Sequence, residues 1–113
     1  MTPEQQSCLE WIRSRPTEIQ ELMKKFPPSC KVRAVATLHV PGPGRLGVIS
    51  SYCEDGCVSV VDFMVWAGFE QEPRVRAMCP PGSLEVVEYL GNMTPEWVER
   101  VLAGEDLPPI WEN

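Results

Sequence analysis

A chain of 113 residues is about the modal size of one folded domain and too short for two. Its 43% apolar content is enough for a core, so disorder is not the expected state. Sixteen acidic side chains against ten basic ones set a formal net charge of −6 and a pI near 4.7, a balance that disfavours nucleic acid and anionic membrane surfaces, where Lys and Arg supply the affinity.

Thr2-Pro3-Glu4-Gln5 predicts a helix start: Thr2 caps, Pro3 suits the first helical position, and Gln5 completes a capping box. Cys8, Leu9, Trp11 and Ile12 follow as an apolar stripe at helical spacing. Pro16 interrupts, and Ile19, Leu22, Met23 and Phe26 form a second stripe, with Lys24 and Lys25 at the end that the helix dipole favours for cations. Two short helices, or one kinked at Pro16, both fit. Pro27-Pro28 ends the segment.

The middle of the chain predicts strands. Residues 31–35 alternate polar and apolar, and a loop over 37–45 follows, where Pro41-Gly42-Pro43-Gly44 cannot continue a ladder. Residues 46–53 and 57–63 flank Glu54-Asp55-Gly56, a three-residue hairpin loop whose Gly accepts the left-handed conformation. Residues 74–79 alternate again, Pro80-Pro81-Gly82 turns, and 84–90 offer a last strand. Thr94-Pro95 repeats the helix-start chemistry, Trp97, Val98, Val101 and Leu102 supply a stripe, and Gly104 stops it. A tail over 105–113 carries Pro108-Pro109-Ile110-Trp111.

Pro41-Gly42-Pro43-Gly44-Arg45-Leu46-Gly47-Val48-Ile49, followed by Asp55-Gly56-Cys57-Val58-Ser59-Val60, resembles an SH3-like barrel of the KOW type over about residues 31–90. The five short strands, tight turns and Pro/Gly loop describe a small barrel between an N-terminal helical segment and a short C-terminal helix, an α+β fold, and the resemblance implies that the barrel is SH3-like. Members of that group bind nucleic acid, ribosomes or proteins, so it implies a fold more than an activity. The expected organisation is a single domain over 1–113: helical segment 1–28, barrel 29–91, helix 94–104 and tail 105–113.

Five cysteines, Cys8, Cys30, Cys53, Cys57 and Cys79, are an odd number, and the opening residues lack the basic and apolar regions of an export signal. The longest apolar stretch, 58–69, is broken by Ser59, Asp62 and Gly68 and falls far short of the ~20 residues that cross a bilayer. A cytoplasmic protein with reduced thiols and no membrane contact is expected. Cys53 and Cys57 stand in a C-x3-C spacing across the hairpin turn, where two thiols could share a metal or form a redox pair; the competing expectation is small buried hydrophobes. A zinc site would need Cys30, Cys79 or His39, the sole histidine, to complete four ligands. No P-loop, dinucleotide fingerprint, nucleophile elbow or metalloprotease motif is present, and no cofactor is expected.

Aromatic residues supply the remaining signal. Val61, Phe63, Val65 and Ala67 fall on one face of a strand and Val60, Met64 and Trp66 on the other, so both faces need cover. Leu9, Trp11, Ile12, Leu22, Met23 and Phe26 could form a lid over one of them, giving a monomer with Trp66 buried. Helices packed elsewhere would leave a strip around Phe63, Val65 and Phe69 that favours a homodimer. The leading expectation is a non-enzymatic adaptor or inhibitor that meets a protein partner through His39, Arg45, Trp66, Phe69 and Trp111. Thiol- or metal-dependent activity at Cys53 and Cys57, and nucleic-acid binding by the barrel, are the alternatives.

Overall fold

The computed structural model of this chain describes residues 1–35, 44, 46–64 and 74–111, and contains one antiparallel sheet whose strands fall, in chain order, between two helices and a third that packs with them. Helix α1 spans Pro3–Arg13 and begins with the expected capping box. The Thr2 hydroxyl accepts from the Gln5 amide at 3.2 Å, and the Gln5 side chain accepts from the Thr2 amide at 2.8 Å. Helix α2 spans Thr17–Lys25. Two helices form rather than one kinked helix, because Pro16 is extended at φ −56° and ψ 155°. The Gln20 side-chain amide donates to the Arg13 carbonyl at 3.3 Å, partnering a group that Pro16 leaves without an intrahelical donor.

Strands β1 (Lys31–Ala34), β2 (Leu46–Tyr52), β3 (Val58–Met64), β4 (Arg74–Cys79) and β5 (Leu84–Glu88) pair in the order β4-β3-β2-β1-β5. The hairpin between β2 and β3 closes as predicted. Cys53 N–H donates to the Cys57 carbonyl at 2.9 Å, Gly56 N–H donates to the Cys53 carbonyl at 3.1 Å, and Gly56 takes φ +94°. The last predicted strand is shorter than 84–90 because Tyr89 and Leu90 leave the ladder to pack against buried clusters. Helix α3 (Pro95–Leu102) follows, capped by the Thr94 hydroxyl, which accepts from Trp97 N–H at 3.2 Å.

The five strands make an open sheet rather than the expected closed barrel. Strands β4 and β5 are consecutive along the chain, joined through a single 3₁₀ turn at Pro81–Ser83, yet they stand at opposite ends of the strand order. Register shifts within three of the strand pairs bend the sheet. Its inner face is filled by Leu22 and Phe26 from α2, where a closed barrel would fill itself.

Two clusters of buried residues result. Val32, Ala34, Ile49, Val58, Val60 and Leu84 on the strands pack with Cys30, Cys79, Leu22 and Phe26. Leu9, Ile12, Ile19 and Met23 pack instead with Met93, Trp97, Val98 and Val101 around α3. The N-terminal lid is therefore split between the two. Trp11 departs from it altogether: at 36% exposure it sits at the edge of α1, with the Arg15 guanidinium 5.6 Å from its ring centroid and the Tyr52 ring 6.3 Å away. Tyr52 packs against both clusters, and its hydroxyl donates to the Phe26 carbonyl at 2.5 Å. Val65, Trp66, Ala67 and Phe69, on which the two-faced strand was expected to continue, lie outside the described residues.

Candidate functional site

Of the side chains expected to carry function, His39, Arg45, Trp66 and Phe69 lie outside the described residues. Trp111 is described, in a tail whose preceding residues are fastened to the helices one by one. Arg13, at the last turn of α1, reaches α3 and the tail together: its Nε donates to the Val101 carbonyl at 3.0 Å, and its Nη2 donates to the Glu105 carbonyl at 2.8 Å. Its Nη1 pairs with Asp106 Oδ1 at 3.1 Å. Trp97 is buried, and its indole N–H donates to the Leu107 carbonyl at 3.1 Å. Gln5, besides serving the capping box, donates through Nε2 to the Pro109 carbonyl at 3.1 Å.

Asn92 completes the attachment. Its amide nitrogen donates to the Pro108 carbonyl at 3.1 Å, and its oxygen accepts from Ile110 N–H at 2.8 Å. One side chain thus stands in for a strand partner on either side of Pro109, which is buried. Two prolines, with fixed φ and no amide hydrogen to satisfy, make this a low-entropy segment to hold. Beyond it, Ile110 is 51% and Trp111 42% exposed. A cleft of about 310 Å³ is lined by Ile110 together with Asn92, Glu96, Trp97, Arg100 and Leu107.

The second location is the hairpin end. All of the cysteines are free thiols. Cys30 and Cys79 are buried in the sheet core, as small hydrophobes. Burial pushes the Cys30 thiol up to about 12 and raises those of Cys8 and Cys79. Cys53 and Cys57 are half-buried. The Cys53 thiol is raised too, by its surroundings' lower solvation and then by the charges of Asp55 and Cys57. A raised thiol is less often the thiolate that a nucleophile requires, so Cys53 does not have the electropositive setting of a catalytic cysteine. Among the described residues, no three of His, Cys, Asp and Glu converge as metal ligands.

Cys53 Sγ lies 3.9 Å from the sulfur of Met78, a residue the alternation of 74–79 treated only as one face of a strand. Asn92, Gln5 and Arg13 were equally invisible as holders of the tail. Asn92 follows Gly91 and reads as a turn residue, Gln5 reads as half of a capping box, and Arg13 reads as a solvated cation at a helix end. No helix of the described residues is long and apolar enough to cross a membrane. The chain matches no protein-family model and no curated protein.

Proposed function

We propose that this chain is a non-enzymatic binding module, an adaptor or an inhibitor, that meets a protein partner through Ile110 and Trp111 of its tail. The observation that carries this reading is that Trp111 is presented rather than loose. Asn92, Gln5 and Trp97 hold the residues just before it through hydrogen bonds of 2.8–3.1 Å, while Ile110 and Trp111 stay in solvent. Exposed aromatic residues on an ordered support contribute to interfaces out of proportion to their number, because little entropy is lost when a partner covers them. The net charge of −6 favours a protein over a nucleic acid. His39, Arg45, Trp66 and Phe69 belong to the same proposal on the sequence pattern alone.

The proposed fold type is an SH3-like barrel left open between its end strands. Its support is the order of the strands: a meander from β1 to β4, then a 3₁₀ turn that returns β5 to the far side of β1.

Photo-cross-linking tests the partner surface. A benzophenone amino acid at position 110 is expected to capture one identified protein from native lysate, before and after nuclease treatment. Capture is expected to be lost when Trp111→Ala is added to the same chain. No defined adduct, or one that is indifferent to Trp111→Ala, would overturn the proposal.

A further inference from the structure

We propose that the outer face of the sheet, at the end of the β2–β3 hairpin, is a binding site for a soft monovalent cation, Cu(I), held by the sulfurs of Cys53, Cys57 and Met78. Strand register places the three on one surface. Tyr52 pairs with Val58 and Ser51 with Ser59, and the hydrogen bond from Cys53 N–H to the Cys57 carbonyl continues that register to the turn. Val58 and Tyr52 pack against the sheet core. By alternation Ser59, which is itself buried at 2% exposure, faces the other way, and Cys53 and Cys57, one residue beyond the ends of β2 and β3, continue that alternation across the turn. Met78 pairs with Ser59, so it shares that outward face, and it is 55% exposed. Cys79, which pairs with Val58, is buried in the core and is excluded from the set.

Spacing and chemistry agree with this cation. Side chains directly opposite on antiparallel strands have Cβ atoms about 5 Å apart, within reach of one ion for Cys53 and Cys57. Metal–sulfur bonds are about 2.3 Å, so three sulfurs arranged in a plane about one ion stand about 4 Å from one another. Cys53 Sγ and Met78 Sδ are already 3.9 Å apart. The turn that carries the thiols is held by Gly56 at φ +94° and by Asp55 Oδ1, which accepts from Cys57 N–H at 3.0 Å. Two thiolates and a thioether are soft donors of the kind that select Cu(I), whereas Zn²⁺ favours four N, S or O ligands in a tetrahedron. Glu54 and Asp55 at the turn add negative charge that favours any cation. Binding releases the two thiol protons to solvent, and no electron moves.

The test is anaerobic titration of the reduced full chain with Cu(I), in competition with a chromogenic Cu(I) chelator, followed by X-ray absorption. One ion per chain with sulfur-only scattering near 2.3 Å is expected. Met78→Leu keeps both thiols and is expected to weaken binding at least about tenfold, since loss of a group that merely orients a ligand costs that much. Cys53→Ser and Cys57→Ser are expected to weaken it further, and Cys8→Ser to leave it unchanged. All three proposed ligands lie on the outward face, so thermal unfolding of each variant at the wild-type temperature is the accompanying control. Equal affinity in Met78→Leu overturns the site, as does a loss in Cys8→Ser equal to that in Cys53→Ser.

Discussion

The helical core and the sheet core are finished at their surfaces in different ways. Around the helices, side chains seek out main-chain groups: Arg13 holds the carbonyls of Val101 and Glu105, Trp97 that of Leu107, and Asn92 both Pro108 and Ile110. Exposed ion pairs occur in both halves, Arg33–Glu85 at 3.0 Å and Lys31–Glu88 at 3.8 Å across β1 and β5, and Arg13–Asp106, Lys24–Glu21 and Arg100–Glu105 around the helices, so what sets the helical half apart is its side-chain bonds to the main chain. Leu46, Met78 and Val87 stand in solvent on the same sheet. An intramolecular hydrogen bond contributes about 1 kcal/mol and an exposed ion pair about 0–1 kcal/mol. The helical half is thus tied to the tail by side-chain bonds to the main chain, which hold the residues just before Trp111. The sheet half is held by burial on one face, and on the other Leu46 and Met78 are exposed while Ser59 is buried.

The largest expected effects come from removing the centre of each half. Trp97→Ala takes away a buried ring and the tail's indole donor, and about 3–5 kcal/mol of stability is expected to go with it. Ile49→Ala is its counterpart in the sheet, at about 2–5 kcal/mol. Because Tyr52 packs against both clusters, urea unfolding of each variant should remain one transition by fluorescence and circular dichroism. Two separated transitions would show the halves to be independent.

Alkaline pH probes the sheet half and its junction with the helices. The Cys30 thiol sits at about 12 in the folded chain against 9.0 when solvated, and burial, followed by the nearby Cys30 and Cys8 thiols, holds the Tyr52 phenol well above 10.0. Both groups bind their proton more tightly when folded. Their contribution is complete below pH 9 and is lost as pH rises from 9 toward about 12, because the unfolded chain ionises first. Urea midpoints on either side of pH 9 are expected to fall with rising pH, and to fall less in Cys30→Ala and in Tyr52→Phe. An unchanged slope in both variants would remove these residues from the account.

The smallest effect belongs to the outer face. Arg33→Gln breaks an ion pair whose side chains are 45% and 51% exposed, and should shift stability by less than about 0.5 kcal/mol at moderate salt. A larger loss would mean that the outer face contributes more to the fold than its exposure indicates.

Local chemistry was enough to read most elements from the chain. The Thr2–Gln5 box, Thr94 as a cap and the Glu54-Asp55-Gly56 turn each depend on residues within a few positions of one another, and each forms as the residues dictate. The hydrophobic stripes of α1, α2 and α3 were legible for the same reason, since a helix face repeats every three to four residues. What covers each stripe was not. Trp11 shares a helical face with Cys8 and Ile12, yet it stays 36% exposed, while Leu22 and Met23, adjacent in sequence, enter different cores.

Long-range pairing alone decided the rest. Whether five strands close into a barrel depends on what fills the inner face, and α2 supplies Leu22 and Phe26 there from outside the strand sequence. Asn92 becomes a clasp only because the tail returns to it, and Met78 meets Cys53 only because β4 joins β3 in the register that sets it opposite Ser59. Periodicity encodes which face of an element is apolar. The residue that meets it there is set by contacts between segments tens of positions apart, where burial and register outweigh local preference.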